Sequence, residues 1–301
     1  MRRLIAVMLF LGLPFGASAW WAQGHMVVAA LAYLELDKSQ QEQVTSLLKQ
    51  HPEYERLWKR EYAKYRKKMD LGVFLMMRAS VWADEIKNRK HPYNEESHGN
   101  WHYVTYKVKF PNNHETNLPD GTKEPNVVWA IQETQKKVFN QEMDKAQRAI
   151  SLAWLIHLVG DIHQPLHCGS EFSDEYPKGD RGGNDQYVKP KRKAIKLHGL
   201  WDSALGRKSK LRKAIQQAKL MQKANANMNF PKEIDPVAWS KESFNYVLSD
   251  VHQHGKFPTS SDKSNAPKVA KSYLTNMKTL AVQQGTKAGV RLAESVKGLK
   301  L

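Results

Sequence analysis

Three histidines and an aspartate fall within the eleven residues from 157 to 167. His157 and Asp161 are four positions apart, so on a helix both side chains project from one face. The residues before His157 are almost all apolar, which predicts a buried helix. A buried carboxylate is costly unless it is paired or bound to a metal, and imidazole with carboxylate suits zinc. Pro165 ends this helix, so the chain can turn and bring His167 back toward the same point. The alternative is an ordinary core histidine near a helix-terminal aspartate.

Further candidate ligands occur in apolar or aromatic surroundings elsewhere in the chain. His102 stands between two aromatic residues, and a second His-x-x-x-Asp pair begins at His198. The full set is the α-amino group of Trp20, His25, Asp84, His102, His157, Asp161, His167, His198 and Asp202. This set exceeds the needs of one tetrahedral zinc and suits two or three ions with a bridging carboxylate. The other seven histidines lie in polar or less informative surroundings: His51, His91, His98, His114, His163, His252 and His254.

The first 19 residues have the pattern of a signal peptide. A basic start, an apolar run from Leu4 to Phe15 and a small-x-small site at Ala17-Ser18-Ala19 predict cleavage after Ala19. The apolar run is too short for a permanent anchor, and no other stretch is apolar enough to cross a membrane. We therefore expect an exported protein, periplasmic or secreted, whose mature chain begins at Trp20 and forms one domain over residues 20–301.

Charge and cysteine content restrict the class of protein further. The 301 residues carry a net charge of +17, and loss of residues 1–19, with two basic and no acidic residues, leaves +15. This excess favours an anionic partner such as nucleic acid, anionic lipid or polyphosphate. Cys168 is the only cysteine, so stability must come from core size, metal or both. Cys168 itself fits a small buried apolar residue better than a ligand.

The elements that would position these residues are mainly helical. Apolar periodicity predicts the following elements: a buried helix from His25 to Leu34, two amphipathic helices within 37–70 separated near His51-Pro52, a short extended segment over 100–106, helices Val127–Phe139 and Met143–Asp161, a hairpin around Pro190–Lys193, and a last helix from Leu280 to Val296. Loops are expected over 88–100, 111–125 and 169–185, and near Asn225–Pro231 and His254–Pro267. No linker marks a second domain, and low strand content places the chain in the mainly α class.

Six motifs run in order from residue 20 to residue 202. They are Trp20 with Gly24-His25, Trp82-Ala83-Asp84, Trp101-His102-Tyr103, His157-x-x-x-Asp161-x-x-Gln164-Pro165-Leu166-His167, Gly182-Gly183-Asn184 and Leu197-His198-x-x-Trp201-Asp202. Together they resemble the S1/P1 nuclease family, zinc-dependent nucleases with a trinuclear site whose fold is related to bacterial zinc phospholipases C. The lone cysteine and the absence of Asn-x-Ser/Thr sites fit a bacterial exported member. The resemblance implies a single-domain α-helical phospholipase C/P1 nuclease fold with a short β-hairpin.

The resemblance also implies three Zn²⁺ ions per chain. The first would take Asp84, His102, His157 and Asp161, and the second would take His167, His198 and Asp202. The third would take the amino group and carbonyl of Trp20, with His25 and the other oxygen of Asp161. Asp161 would therefore bridge two of the ions.

The implied activity is hydrolysis of single-stranded RNA and DNA, and of 3′-mononucleotides, by a metal-activated water that leaves 5′-phosphate products. Asp84, Lys87 and Asp161 would carry catalysis, with Lys87 stabilising charge on the phosphate, although a solvated lysine is an equal alternative. The family pattern places Tyr103 and Asn184 in substrate binding, with the Tyr103 ring stacking on a base. Thr105 stands where Asp or Asn is frequent in the family, which leaves the base preference open.

Two other functions remain compatible with the sequence. A zinc-dependent phospholipase C is the first, but the His198–Asp202 spacing and the short distance from Trp20 to His25 favour the nuclease branch. The second is a basic exported binding protein with structural zinc, which would need fewer ligands than this chain offers. Nothing in the sequence indicates a protein partner.

Overall fold

The computed structural model of the chain describes residues 20–110, 123–224, 230 and 233–301. Within these residues the α-helices are α1 (Ala22–Glu35), α2 (Lys38–Leu48), α3 (Lys59–Tyr62), α4 (Leu71–Glu85), α5 (Val127–Phe139), α6 (Lys145–Ile162), α7 (Leu197–Asp202), α8 (Leu211–Ala224), α9 (Pro236–Tyr246) and α10 (Lys271–Val296). The strands are β1 (Tyr106–Val108), β2 (Gly169–Glu171), β3 (Tyr187–Val188) and β4 (Ile195–Lys196). Short 3₁₀ turns cover Asn94–Glu96, Gly99–His102 and Pro165–His167, and π-helical turns cover Tyr54–Trp58 and Val247–Val251.

Helices α1 and α6 lie at the centre of the fold because their sequences are apolar on nearly every side. All residues of α6 from Arg148 to Ile162 are buried, as are those of α1 from Gln23 to Tyr33. Helix α1 packs against α4, α8 and α10, while α6 packs against α4 and α5. A helix that is apolar all round is buried in a core, and here this places polar residues of α1 and α6 inside the protein.

Side-chain caps fix where the helices around this centre begin. Asp70 accepts hydrogen bonds from the N–H groups of Gly72 (2.8 Å) and Val73 (3.2 Å) at the start of α4. Asp144 caps α6 through Ala146 N–H at 2.9 Å. Caps of this kind satisfy amide groups that lack a partner in the first turn. They thereby set the register of the candidate ligands further along α4 and α6.

The strands form two small sheets at the edge of the helical core. β1 pairs with β2 in parallel, with Tyr106 opposite Gly169, and β3 pairs with β4 antiparallel, with Tyr187 opposite Lys196. The predicted hairpin around Pro190–Lys193 is confirmed as the β3–β4 connection. The mainly α, single-domain class is confirmed as well.

Three elements differ from the sequence prediction. The predicted extended segment over 100–106 is wrong at its start, because Gly99–His102 forms a 3₁₀ turn and only Tyr106–Val108 pairs as a strand. The second amphipathic helix begins as a π-helical turn at Tyr54 and ends at Tyr62. Helix α10 starts at Lys271, well before the predicted Leu280, because Tyr273, Met277 and Leu280 already form a buried stripe at helical spacing.

Several predictions fall outside the described residues. These are the signal peptide over 1–19, most of the loop over 111–125 and most of the loop near Asn225–Pro231. In the part of the chain that is described, no helix combines the length and apolar character needed to cross a membrane. Cys168 is buried with a free thiol, as predicted for a small apolar residue.

Candidate metal centre

Helix α6 carries Asp161 into the core, where three imidazoles surround its carboxylate. His102 Nδ1 lies 2.8 Å from Asp161 Oδ2, and His157 Nε2 lies 3.2 Å from the same oxygen. His25 Nε2, from α1, lies 3.3 Å from Asp161 Oδ1. The His25 and His157 rings stack with centroids 4.1 Å apart. Helices α1 and α6 and the 3₁₀ turn Gly99–His102 therefore bring these three imidazoles to one buried carboxylate.

Asp84 joins this group from the last turn of α4. Its Oδ1 lies 3.8 Å from His157 Nε2, and the Lys87 ammonium donates to the same oxygen at 2.7 Å. Asp84 therefore faces the histidines and also pairs with Lys87. Asp84, His102 and His157 offer ligand atoms within 4.8 Å of one another.

A second group forms where the turn after α6 meets α7. His167 Nε2 lies 3.2 Å from His198 Nε2, and His198 Nε2 lies 3.5 Å from Asp202 Oδ2. Gln164 donates from Nε2 to Asp202 Oδ1 at 2.7 Å and accepts from Leu166 N–H through Oε1 at 2.6 Å. Gln164 therefore shapes the Pro165–His167 turn and orients Asp202.

Trp20 is fully buried and packs with Leu205 and Ala281. The backbone N–H of the following residue, Trp21, donates to the Asp202 carbonyl at 3.0 Å. The start of α1 is therefore tied to the end of α7.

Backbone carbonyls fix the tautomers of three histidines. The Nδ1–H groups donate to Ser80 O from His157 (2.8 Å), to His102 O from His167 (2.5 Å) and to Gly182 O from His198 (2.7 Å). A neutral ring that donates through Nδ1 carries its lone pair on Nε2, and the protein thereby orients it as metal-bound imidazoles are oriented.

Two glycines permit the close packing around these rings. A Cβ at Gly160 would lie 2.7 Å from His25 Nδ1, so only glycine lets His25 approach α6 this closely. Gly182 has φ +61°, and a Cβ there would collide with the Leu166 carbonyl oxygen. Glycine is therefore required in the Gly182-Gly183 pair by the positive φ angles and by the close approach to the turn before His167.

Burial and neighbouring charges shift the pKa values of several residues in this cluster. Burial raises the pKa of Asp161, but the surrounding imidazoles outweigh burial and hold the pKa well below its usual range. Burial raises the pKa of Asp202 well above its usual range, since Gln164 offsets it only in part. Burial, with Lys87 nearby, lowers the pKa of His102 to about 4. Neutral imidazoles and carboxylates are the forms that bind metals.

Several buried atoms of the cluster have no hydrogen-bond partner among the described residues. They are both ring nitrogens of His25, Nε2 of His102 and Oδ1 of Asp161, of which His25 Nε2 and Asp161 Oδ1 face each other at 3.3 Å without a hydrogen bond. An unsatisfied buried polar atom costs about 1–3 kcal/mol. A cation between His25 Nε2 and Asp161 Oδ1 would bind both atoms, so the residues fit a metal.

The two predicted substrate-binding residues differ in exposure. Tyr103 follows His102 directly and is 43 % exposed, so its ring is accessible to a ligand. Asn184 is buried, and its Nδ2 donates to the Arg181 carbonyl at 3.0 Å within its own turn.

The sequence patterns did not reveal the supporting groups or three buried histidines. Gln164 belongs to the motif that ends at His167, and its position directly before Pro165 was the one sequence feature that indicated a role in this turn. His51, His163 and His252 are buried, although their sequence surroundings are polar. His163, for example, bonds the Val159 carbonyl and Arg291, both at 2.8 Å.

A mainly α domain whose core gathers imidazoles and carboxylates has the features of a metalloprotein. The family described as S1/P1 Nuclease matches residues 20–299, and the chain therefore belongs to the S1/P1 nuclease family. Endonuclease 4 of Arabidopsis thaliana is 42 % identical over 55 residues, which are 18 % of this chain and 16 % of that protein. Endonuclease 2 of the same plant is 24 % identical over 211 residues, which are 66 % of this chain and 60 % of that protein. The chain thus spans less than two thirds of either relative.

Proposed function

We propose that this chain is a zinc-dependent phosphodiesterase that hydrolyses single-stranded RNA and DNA to 5′-phosphate products and also releases inorganic phosphate from 3′-mononucleotides. The observation that carries the proposal is the approach of three imidazoles to within 3.3 Å of the buried Asp161 carboxylate. Membership of the S1/P1 nuclease family supports the same activity.

The donor atoms fit a trinuclear zinc centre, which we propose with these ligand sets: Asp84, His102, His157 and Asp161; His167, His198 and Asp202; and the Trp20 amine and carbonyl with His25 and Asp161. Three groups of side chains that could hold an ion support these sets in part: one joins Asp84, His102 and His157, one joins His167, His198 and Asp202, and one joins His25 and Asp161 with His157. Bound zinc would lower the pKa of water to near neutrality and stabilise negative charge on phosphate oxygens.

The chain's own residues position the substrate. The Lys87 ammonium lies beside Asp84, where its positive charge would offset the negative charge that develops on the phosphate. The exposed ring of Tyr103 would stack on an unpaired base, which tolerates any base and disfavours a closed duplex. Asn184 would contact the substrate by reorienting its amide.

A basic groove supports a polymeric anion as substrate. The groove has a volume of about 1130 Å³ and includes Leu200 and Ser203 from the segment of Asp202, although none of the proposed zinc ligands lines it. Its cationic lining consists of Lys191, Arg192, Lys193, Arg207, Lys213 and Lys278, and no carboxylate of the described residues lines it. The Arg207 guanidinium lies over the Trp21 ring at 4.7 Å, so the groove reaches the start of α1. The groove would therefore bind phosphates of a long strand away from the centre itself.

We further propose that the protein is exported and that removal of residues 1–19 creates the Trp20 amine. Residues 20–301 would then form the catalytic domain. Export and the third zinc set are linked, because a peptide bond before Trp20 would remove its amine as a ligand.

The test is an assay of the mature chain on single-stranded RNA, single-stranded DNA, 3′-AMP and a phosphatidylcholine emulsion. We expect chelator-sensitive release of 5′-mononucleotides from RNA and DNA and of inorganic phosphate from 3′-AMP, with no release of lipid headgroups. Lipid hydrolysis without nucleic-acid cleavage would instead place the protein among the zinc phospholipases C. No turnover on any substrate, with zinc bound, would leave only the binding interpretation.

A matched variant carries one alanine before Trp20. The added residue displaces the amine but leaves every side chain of the centre intact. We expect this variant to bind less zinc and to lose most turnover. Full zinc content and activity would show that the Trp20 amine is not a ligand.

A further inference from the structure

Glu171, Asp180 and His252 meet outside the centre described above. Glu171 ends β2, Asp180 lies in the loop that leads to Gly182, and His252 follows the π-helical turn Val247–Val251. One potential ligand atom from each residue lies within 4.8 Å of the other two. None of the three belongs to the proposed zinc ligands.

The side chains around this point are buried and incompletely paired. His252 is 2 % exposed, and its Nδ1 lies 3.6 Å from Glu171 Oε2, beyond hydrogen-bond distance. Its Nε2 has no partner among the described residues. Gln186 is fully buried and donates to Glu171 Oε2 at 2.7 Å, while its Oε1 has no partner among the described residues. Two buried side chains therefore present unused polar atoms beside Glu171.

The carboxylates themselves lack a compensating cation. Asp180 Oδ1 accepts from the Ser170 hydroxyl (2.7 Å) and Glu171 N–H (2.9 Å), and Oδ2 accepts from Gly183 N–H at 2.9 Å. In the described part of the chain, neither carboxylate pairs with a lysine or arginine. Burial raises the pKa of Asp180 to about 6, and Glu171 adds to the effect. Two neighbouring carboxylates in a buried site favour a bound positive charge.

We propose that Glu171, Asp180 and His252 form a further site for a divalent transition-metal cation, with Gln186 Oε1 as an additional oxygen donor. Two carboxylates, an imidazole and an amide oxygen are a mixed set that suits Mn²⁺ or Zn²⁺. Two ligands of one such metal, each about 2.1 Å from it, lie at most about 4.2 Å apart. The three groups lie within 4.8 Å of one another, so side-chain movements of a few tenths of an ångström would bring all of them into this range.

The site has a structural role. It connects β2 and the segment after α9 to the loop at Asp180, whose Oδ2 holds Gly183 N–H. The carbonyl of the preceding residue, Gly182, accepts a hydrogen bond from the Nδ1–H of His198. A cation at Asp180 would stabilise the loop conformation that orients His198.

The test measures metal content in the mature protein. Wild type, Glu171→Gln, His252→Asn and Glu175→Gln are stripped with chelator, equilibrated with excess Zn²⁺ or Mn²⁺, freed of unbound metal and analysed by mass spectrometry for metal per chain. Glu175→Gln is the matched control, since it removes an exposed charge that acts on Glu171 without removing a ligand. Circular dichroism confirms that each variant is folded.

We expect Glu171→Gln and His252→Asn each to bind one equivalent less than wild type, and Glu175→Gln to bind the wild-type amount. The difference does not depend on how many ions the histidine–aspartate centre holds. Wild-type metal content in Glu171→Gln would overturn the proposal. If His252→Asn fails to fold, Glu171→Gln decides, because glutamine keeps the size of the side chain and an oxygen for Gln186.

Added metal should also raise the melting temperature of metal-stripped wild type and of stripped Glu175→Gln by equal amounts. The rise should be smaller in stripped Glu171→Gln, which keeps only the histidine–aspartate centre. An equal rise in all three proteins would show nonspecific binding and contradict the site.

Discussion

Gly160 determines how closely His25 approaches Asp161, because a Cβ at this position would lie 2.7 Å from the imidazole. We expect Gly160→Ala to displace His25 and to lower zinc affinity by about 10- to 100-fold, the range for groups that orient metal ligands. Turnover should fall with it. Equilibrium zinc titration, followed by an assay at saturating zinc, would measure both effects.

Gly199 provides the control for this substitution. It lies in α7 between His198 and Asp202, yet a Cβ there meets no atom within 4 Å. Gly199→Ala should keep zinc affinity and add about 0.5–1 kcal/mol of helix stability. Equal zinc affinity in the two variants would contradict the close approach of His25.

Lys87 is the second residue whose role can be isolated. Lys87→Met should lower kcat by about 100- to 1000-fold if the ammonium stabilises charge in the transition state. Zinc content should stay unchanged, which separates this role from an effect through its partner Asp84. Lys90→Met, an exposed lysine close by, is the control and should behave as wild type. An unchanged kcat in Lys87→Met would leave only the solvated-lysine interpretation.

At the scale of single residues, the sequence predicted that His157 and Asp161 share a buried face, but it did not predict the groups that hold the histidine rings in place. The His157–Asp161 spacing predicted a shared buried face, because four residues make about one helical turn. The carbonyls of Ser80, His102 and Gly182 were not predictable, since every residue has a carbonyl and only the fold decides which one meets an imidazole.

The positions of the candidate ligands depend on the residues at which the helices begin and end. The bounds of α5 and α6 agreed closely with the prediction, because Asn126 and Asp144 are strong caps and the apolar runs are continuous. The 3₁₀ turn at Gly99–His102 was missed, because aromatic and β-branched residues also favour strands. His102 therefore reaches Asp161 from a turn instead of from a strand.

The turn between α2 and the next helical segment gives a pH prediction. His51 is buried there, and its Nδ1 accepts from Glu53 N–H at 3.1 Å, which requires a neutral ring. Burial lowers its pKa to about 3. The unfolded chain binds a proton near pH 6.5 and the folded chain does not, so stability falls as pH falls below 6.5.

His51→Asn should remove this dependence, because the asparagine oxygen can accept from the same N–H without titrating. Between pH 7 and pH 5, its unfolding free energy should decrease by about 2 kcal/mol less than that of wild type. Urea denaturation at both pH values measures the difference. His254→Asn, at an exposed position with φ +54°, is the control. Identical pH dependence in all three proteins would refute the role of His51.

Over the whole molecule, positive charge and the groove are expected to act on long substrates. Reversing two groove charges in Lys191→Glu/Lys193→Glu should raise KM for single-stranded RNA, while KM for 3′-AMP changes little. The slope of affinity against salt should fall by about 0.7 for each phosphate that the groove no longer neutralises. Lys219→Glu/Lys223→Glu makes the same charge change on exposed residues of α8 outside the groove. Equal effects of the two pairs would show that net charge, not the groove, determines binding.

The sequence predicted the class of fold and the positive charge of the molecule, but it could not predict the groove. The periodicity of apolar residues indicates which faces of the helices are buried, and the order of the motifs indicated the family. The groove combines the β3–β4 connection with α8 and α10, which lie far apart in the chain. Likewise, Glu171 and His252 are brought together only by tertiary packing.

The central claim, a trinuclear zinc centre built on Asp161, is tested most directly by anomalous diffraction at the zinc absorption edge from crystals of the mature protein. We expect one peak in each of the three proposed ligand sets, with two of them sharing the Asp161 carboxylate, in addition to any peak at Glu171, Asp180 and His252. A single peak, or none within these sets, in protein saturated with zinc would contradict the claim.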